Sequence, residues 1–184
     1  GGARSQHLMW SHKRGRAVES DNGFFPEDEP LRDAVMKVVD ASKREGTVLD
    51  NVEAVKRRVN GMPGVKYDLG NAGWDSICVY ADGGVYPSAA LANEPSLHCG
   101  NVTQEPLAKI IESSHLIQQL RQASLARKAS VVNDPFRFLT GGGDMEHAWC
   151  FSGDFLGVDP YYPISVSLTK HVMSELAEEK RSRK

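Results

Sequence analysis

The stretch Val79-Tyr-Ala-Asp-Gly-Gly-Val-Tyr-Pro-Ser88 constrains this chain more than any other segment. Asp82-Gly83 between two short apolar runs is the strongest local signal for a tight hairpin, and it predicts strands over Ile77–Tyr80 and Gly84–Tyr86. Pro87 stops the second strand because it has no N–H to give a ladder. Further on come Gly100-Asn101 and then Thr140-Gly-Gly-Gly-Asp144. Three successive glycines let the backbone take positive φ and bring its N–H groups very close to another group. The implied fold class is α+β: a small β-hairpin core with helices around it.

The helical signals lie on either side. Pro30, at a first helical position where its missing N–H costs nothing, predicts a helix carrying Leu31, Ala34, Val35, Val38, Val39 and Ser42 on one face. Gly46 follows its end. Asp50 is the expected N-cap of a second helix, with Val52, Val55 and Val59 as its stripe and Gly61 as its stop. These two are expected to form an antiparallel pair. Residues 7–10 read as a short buried strand, Asp21-Asn-Gly23 as a turn, and residues 62–74 as a crossing loop.

Pro106 opens a short helix to about Glu112, and Ser113 or Ser114 caps another reaching about Lys128, buried through Leu116, Leu120, Ser124 and Leu125. Asp134-Pro135 starts one more turn, which the glycines end. Aromatic-rich loops then run to Tyr162-Pro163, and a charged helix from about Ser165 closes the chain. The division expected is residues 1–61 and residues 62–184, the latter including the last helix.

Composition narrows the function. No apolar run approaches the ~20 residues of a membrane span, so no membrane partner is expected. A net charge of −2 gives no general attraction to nucleic acid. Three cysteines, Cys78, Cys99 and Cys150, are too few for a disulfide framework, and their odd number suits a reducing cytoplasm. The opening Gly1-Gly2-Ala3 lacks an initiator Met and runs quickly into the apolar segment His7-Leu-Met-Trp10, which suggests a piece of a longer protein.

Several sites are open on residue chemistry alone. The triplet Gly141–Gly143 suits either tight packing or a phosphate, although no Lys-Ser/Thr pair follows it as in a P-loop. His98, Cys99, His147 and Cys150 make up a Cys2His2 set of the kind zinc takes. Any metal held by thiols would use Cys78, Cys99 and Cys150, with His147 as the further candidate. Cys150, His147 and Asp144 are close enough in sequence for a thiol, a base and an orienting carboxylate. Cys78 reads as inert core.

Taken together, Ala72-Gly73, Val79, Asp82-Gly83, Val85-Tyr86-Pro87, Gly100-Asn101, Leu120-Arg121 and Gly141-Gly142-Gly143 resemble the SPASM domain. That domain is the C-terminal auxiliary module of many radical SAM proteins that modify peptides or proteins. Residues 10–17 look like the tail of the radical SAM barrel, so the resemblance covers residues 66–163 well and residues 1–60 loosely. In the family, cysteines follow the Tyr-Pro pair, bracket the glycines, end an Asp-Pro-x-Cys segment and precede Ala-Gly. Here those places hold Ser88, Thr140 and Asp144, Tyr162, and Gly70 or Asn71.

The resemblance therefore implies a domain whose cluster positions have degenerated, with no cofactor of its own. S-adenosylmethionine and a [4Fe-4S] cluster are expected in another part of the parent, because Cys-x3-Cys-x2-Cys is absent here. Its implied partners are the parent's barrel and a peptide or protein substrate, met by Trp74, Tyr80, Tyr86, Asp144 and Trp149. A stand-alone interaction module and a small zinc-stabilised domain are the alternatives.

Overall fold

A computed structural model describes residues 2–19, 28–61 and 68–183. The expected turn at Asp21–Gly23 and residues 62–67 of the crossing loop lie outside these residues. Two hydrophobic cores organise the rest.

The first core belongs to both chain ends. Strand β1 (Ser5–Gln6) pairs in parallel with β2 (Val48–Leu49), and α1 (Asp28–Glu45) lies between them in sequence. Helix α2 (Asp50–Val59) follows β2 directly, and the long α7 (Tyr162–Ser182) closes the chain. Val35 and Val39 of α1, Val52 and Val55 of α2, and Ile164, Leu168 and Val172 of α7 share one buried cluster. At ~25 cal/mol per Å² of apolar surface, such stripes outweigh the weak intrinsic preference of valine for helix.

Four expectations change here. Residues 7–10 are not a strand: the ladder sits at Ser5–Gln6, Leu8 and Trp10 are half-buried, and Met9 is exposed. Helices α1 and α2 pack principally on α7 rather than on each other, since β2 separates them and leaves α7 to cover both stripes. Leu49 occupies the cap position of α2, so Asp50 is its first residue; with Glu53 it sets negative charge at the positive helix end. Ala34 is exposed on α1.

The second core surrounds a three-stranded antiparallel sheet ordered β3 (Cys78–Val79), β4 (Gly84–Tyr86), β5 (Gly100–Asn101). The hairpin is closed by Gly83 N–H donating to Tyr80 O at 2.9 Å and Tyr80 N–H to Gly84 O at 2.7 Å. Asn101 explains why a Gly-Asn pair follows. Its Nδ2 donates to Asp82 O at 3.0 Å, while its Oδ1 accepts from the Thr103 amide at 2.8 Å. The third strand thus pins the turn from outside.

Helices α3 (Leu107–Ser113) and α4 (His115–Arg121) follow, with Ser114 Oγ capping α4 through the Ile117 N–H. Helix α4 is shorter than expected, because the chain passes into 3-10 turns at Leu125–Arg127 and Ala129–Val131. Its buried residues are Ile117 and Leu120, while Leu116 is partly covered and Ser124 is exposed. Arg121 Nε donates to Gly73 O at 2.8 Å, so the Leu-Arg and Ala-Gly pairs hold one another.

Helix α5 (Arg137–Thr140) is the turn begun at Asp134, whose Oδ1 accepts from Phe136 N. Helix α6 (Met145–Ser152) replaces part of the expected aromatic loop, and α7 starts at Tyr162, ahead of Ser165.

Candidate functional site

The glycine knot lies where the two cores meet. Gly141, Gly142 and Gly143 all have positive φ, at 74°, 75° and 87°. At Gly142 a Cβ would come within 2.2 Å of Leu125 Cδ2, so only glycine fits. Leu69 ties the preceding loop to the knot: its N–H donates to Gly141 O at 2.7 Å, and its carbonyl accepts from Met145 N at 2.9 Å.

Thr140 and Tyr162 flank the knot, and their hydroxyls share a hydrogen bond at 3.4 Å. Thr140 Oγ1 also accepts from Gly142 N at 3.3 Å. Asp144 then caps α6, its Oδ1 accepting from Glu146 N at 2.7 Å. A Cβ at Gly70 would lie 3.0 Å from Asp144 Oδ2, so these two positions are in contact. Ser88 Oγ donates to Glu146 Oε1 in the next turn.

Asp159 is the hub. It is almost fully buried, with Oδ2 accepting from Asp144 N at 2.8 Å and Oδ1 from Tyr161 N at 2.9 Å. Its Oδ1 also lies 3.5 Å from His147 Nδ1, close enough for charge pairing but without hydrogen-bond geometry. Burial works against charge on His147, yet Asp159 and Asp144 outweigh it and hold its pKa above the usual histidine value. The His12 ring sits 4.7 Å from that of His147, and burial together with His147 holds His12 below the usual value. Asp144 is pushed up to about 6, first by burial and then by the neighbouring Glu146 charge.

Residues 7–12, α2 and the knot enclose a cleft of about 520 Å³ onto which these groups open. Behind it, Lys128 is fully buried and its Nζ makes no hydrogen bond. Burial lowers its pKa, against the pull of Asp159 and Asp144. A buried carboxyl and an adjoining imidazole with displaced pKa values mark the cleft as a place for recognition or proton handling.

Residues 71–133 match the family model of SPASM, an iron–sulfur cluster-binding domain. Over that stretch the chain is similar to the SPASM domain. No curated protein and no solved structure matches the chain. The matched segment contains the hairpin, the Gly-Asn pair and the Leu-Arg pair. The glycine knot, Asp159 and Tyr162 lie beyond it.

Iron–sulfur clusters are normally held by four thiolates. The places that the resemblance assigns to cysteines hold a glycine or amide, two hydroxyl side chains, a carboxylate and a phenol, and several already contact one another. These residues do not fit a cysteine-ligated cluster. The chain's own cysteines stand elsewhere. Cys78 is in β3 opposite Tyr86, half-buried rather than fully enclosed. Cys99 N–H donates to Val85 O at 2.8 Å and burial raises its thiol pKa. Cys150 is on α6, its thiol pushed up to about 11 by burial.

Among the described residues no three His, Cys, Asp or Glu side chains are grouped to hold a metal ion. The sets Cys78, Cys99, Cys150, His147 and His98, Cys99, His147, Cys150 are therefore not assembled. His98 instead packs edge-on against Tyr86, with ring centroids 5.6 Å apart. Cys150 is not an activated nucleophile either: a thiol protonated at neutral pH is a poor one, and His147 faces Asp159.

The five residues expected to meet substrate separate into different environments. Trp74 and Tyr80 are exposed, with the Arg121 guanidinium 5.8 Å from the Trp74 ring. Tyr86 is buried beneath Tyr80 and packs in the second core, so it is not a surface residue. Trp149 stacks on Phe155 and lies under Arg14. Asp144 alone of the five lines the cleft.

Sequence reading missed Asp159, His12 and Lys128. Asp159 had one usable signal, since an Asp before Pro160 and an aromatic pair is well placed to cap a following helix. The cap of α6 was also readable, as Asp144 directly after a glycine stop.

Proposed function

We propose that this chain is the auxiliary C-terminal part of a radical SAM protein, positioning a peptide or protein substrate for modification without an iron–sulfur cluster of its own. The observation that carries the reading is the Thr140–Tyr162 hydrogen bond beside the Gly70–Asp144 contact. Places where the family has cysteines are here joined by oxygen-bearing side chains and close packing. Such bonds contribute about 1 kcal/mol each, and together with the second core they can keep the knot closed.

The parallel β1–α1–β2 arrangement supports the view that residues 1–61 continue a barrel, since strand–helix–strand crossings are the unit of β/α barrels. The cleft lies between this part and the knot, which is where a substrate directed toward a barrel would be gripped. Reductive cleavage of S-adenosylmethionine would be supplied by the rest of the parent. This chain's residues bind and orient: Asp144 and Glu146 present carboxylates, and Asp159 fixes the start of α6 that carries both.

The test uses the intact parent protein. Its sequence should contain Cys-x3-Cys-x2-Cys, and replacing residues 71–133 with a short linker, which leaves the core of α1, α2 and α7 whole, should abolish substrate capture while S-adenosylmethionine is still cleaved. A parent without that motif, or one whose substrate binding survives the replacement, would overturn the proposal.

A further inference from the structure

The cleft is uneven in charge. Asp144, Glu146 and Asp159 bring three carboxylates to a space of about 520 Å³, within the usual range for ligand pockets. Arg58 reaches its edge, with Nη1 3.5 Å from Thr140 O. Carboxylates therefore outnumber permanent cations on the lining, which disfavours an anionic guest and favours a positive one.

Two further observations point to a guest. His12 Nε2, on the segment facing His147, is buried on the cleft without a partner, whereas His147 Nδ1 is turned toward Asp159 Oδ1 at 3.5 Å. Buried polar atoms are almost always satisfied, so this orphan indicates that something polar completes it. Gly70 gives access to the acid: a side chain there would sit 3.0 Å from Asp144 Oδ2 and cover it. Trp10 and Tyr161, with ring centroids 5.8 Å apart, add an aromatic wall suited to an aliphatic stem.

We infer that this cleft binds a primary ammonium group of a peptide, held by the Asp144 and Glu146 carboxylates with His12 Nε2 as a further acceptor. The inference rests on the reading of the cleft as a peptide-binding site and adds the chemical handle it recognises. The ammonium has two possible sources, a lysine side chain or a peptide amino terminus, which share this chemistry.

Two-dimensional NMR on the whole chain tests it with three probes: Nα-acetyl-lysine methylamide, leucinamide and the uncharged Nα-acetyl-norleucine methylamide. At least one ammonium probe should shift the amides of Asp144, Glu146 and His147, and whichever binds tighter identifies the source. The neutral probe should leave those amides in place. Asp144→Asn and Glu146→Gln keep the hydrogen-bond acceptors and should each weaken binding about tenfold or more by loss of a partly buried charge. Equal shifts from the neutral probe would overturn the ammonium inference and leave peptide binding standing. Silence from all three probes, or unchanged affinity in either variant, would overturn it as well.

Discussion

Thr140 and Tyr162 stand 22 residues apart in sequence, and their hydroxyls meet at 3.4 Å beside the triple-glycine bend. Thr140 has further partners in Phe136 O and Gly142 N, so it is fixed by its own helix before Tyr162 arrives. Tyr162→Phe removes the cross-link together with the hydroxyl's interaction with Asp134, and should cost about 0.5–1.5 kcal/mol in chemical denaturation. Thr140→Val also strips the Gly142 N–H of its acceptor and should cost about 1–3 kcal/mol. A double-mutant cycle with near-zero coupling would show that the hydroxyls do not act together.

Asp159 carries more than any other polar residue here, with two backbone N–H groups accepted and a histidine alongside. Asp159→Ala leaves buried donors unsatisfied on two loops and is expected to destabilise by roughly 3 kcal/mol or more. A loss below that of Tyr162→Phe in the same denaturation assay would remove Asp159 as the organising residue.

Lys128 works against stability. Its amine is fully buried with no hydrogen bond, and desolvation outweighs the attraction of nearby aspartates. Lys128→Met fills the same space without the charge and should stabilise by about 1 kcal/mol or more. Because the folded pKa is lowered, the penalty applies in full at pH values below it. It fades as pH rises toward the ordinary lysine value, so the two proteins should converge in alkaline melts. A variant less stable than the wild type at neutral pH would contradict this.

Asp144 has the opposite titration. Its carboxyl is raised from 3.8 to about 6, so folding favours the protonated form and stability is lost as pH rises through that interval. Asp144→Asn retains the cap and should be about 1–3 kcal/mol more stable than wild type above pH 6, with the gain vanishing toward pH 4. Equal stability at neutral pH would mean the charge is not strained. Retention of a costly charge in an open cleft is what a binding role entails.

These effects show what sequence alone reveals. Asp82-Gly83 forces its turn, so the hairpin was legible, as were the valine stripes of α1 and α2 and the stop at the glycines. Residues 7–10 misled because Leu8 and Trp10 are partly buried as a strand's would be, but their contacts come from distant helices. Helix α6 was hidden by its aromatics, although Asp144 and Gly153 mark its two ends. Tyr86 was indistinguishable in sequence from the exposed Tyr80, since alternation along a two- or three-residue strand does not say which face the core covers. The hub Asp159 and the orphan Lys128 depend on contacts made across long separations, which no local pattern encodes.

Among the described residues no helix is long and apolar enough to cross a membrane.

The most direct measurement is a thermal melt of anaerobically purified protein, with and without a strong iron chelator, alongside iron and sulfide analysis of the same sample. Hydrogen bonds and packing in place of thiolates predict superimposable melting curves and iron well below one equivalent. A chelator-induced fall in melting temperature, or stoichiometric iron and sulfide, would contradict the account.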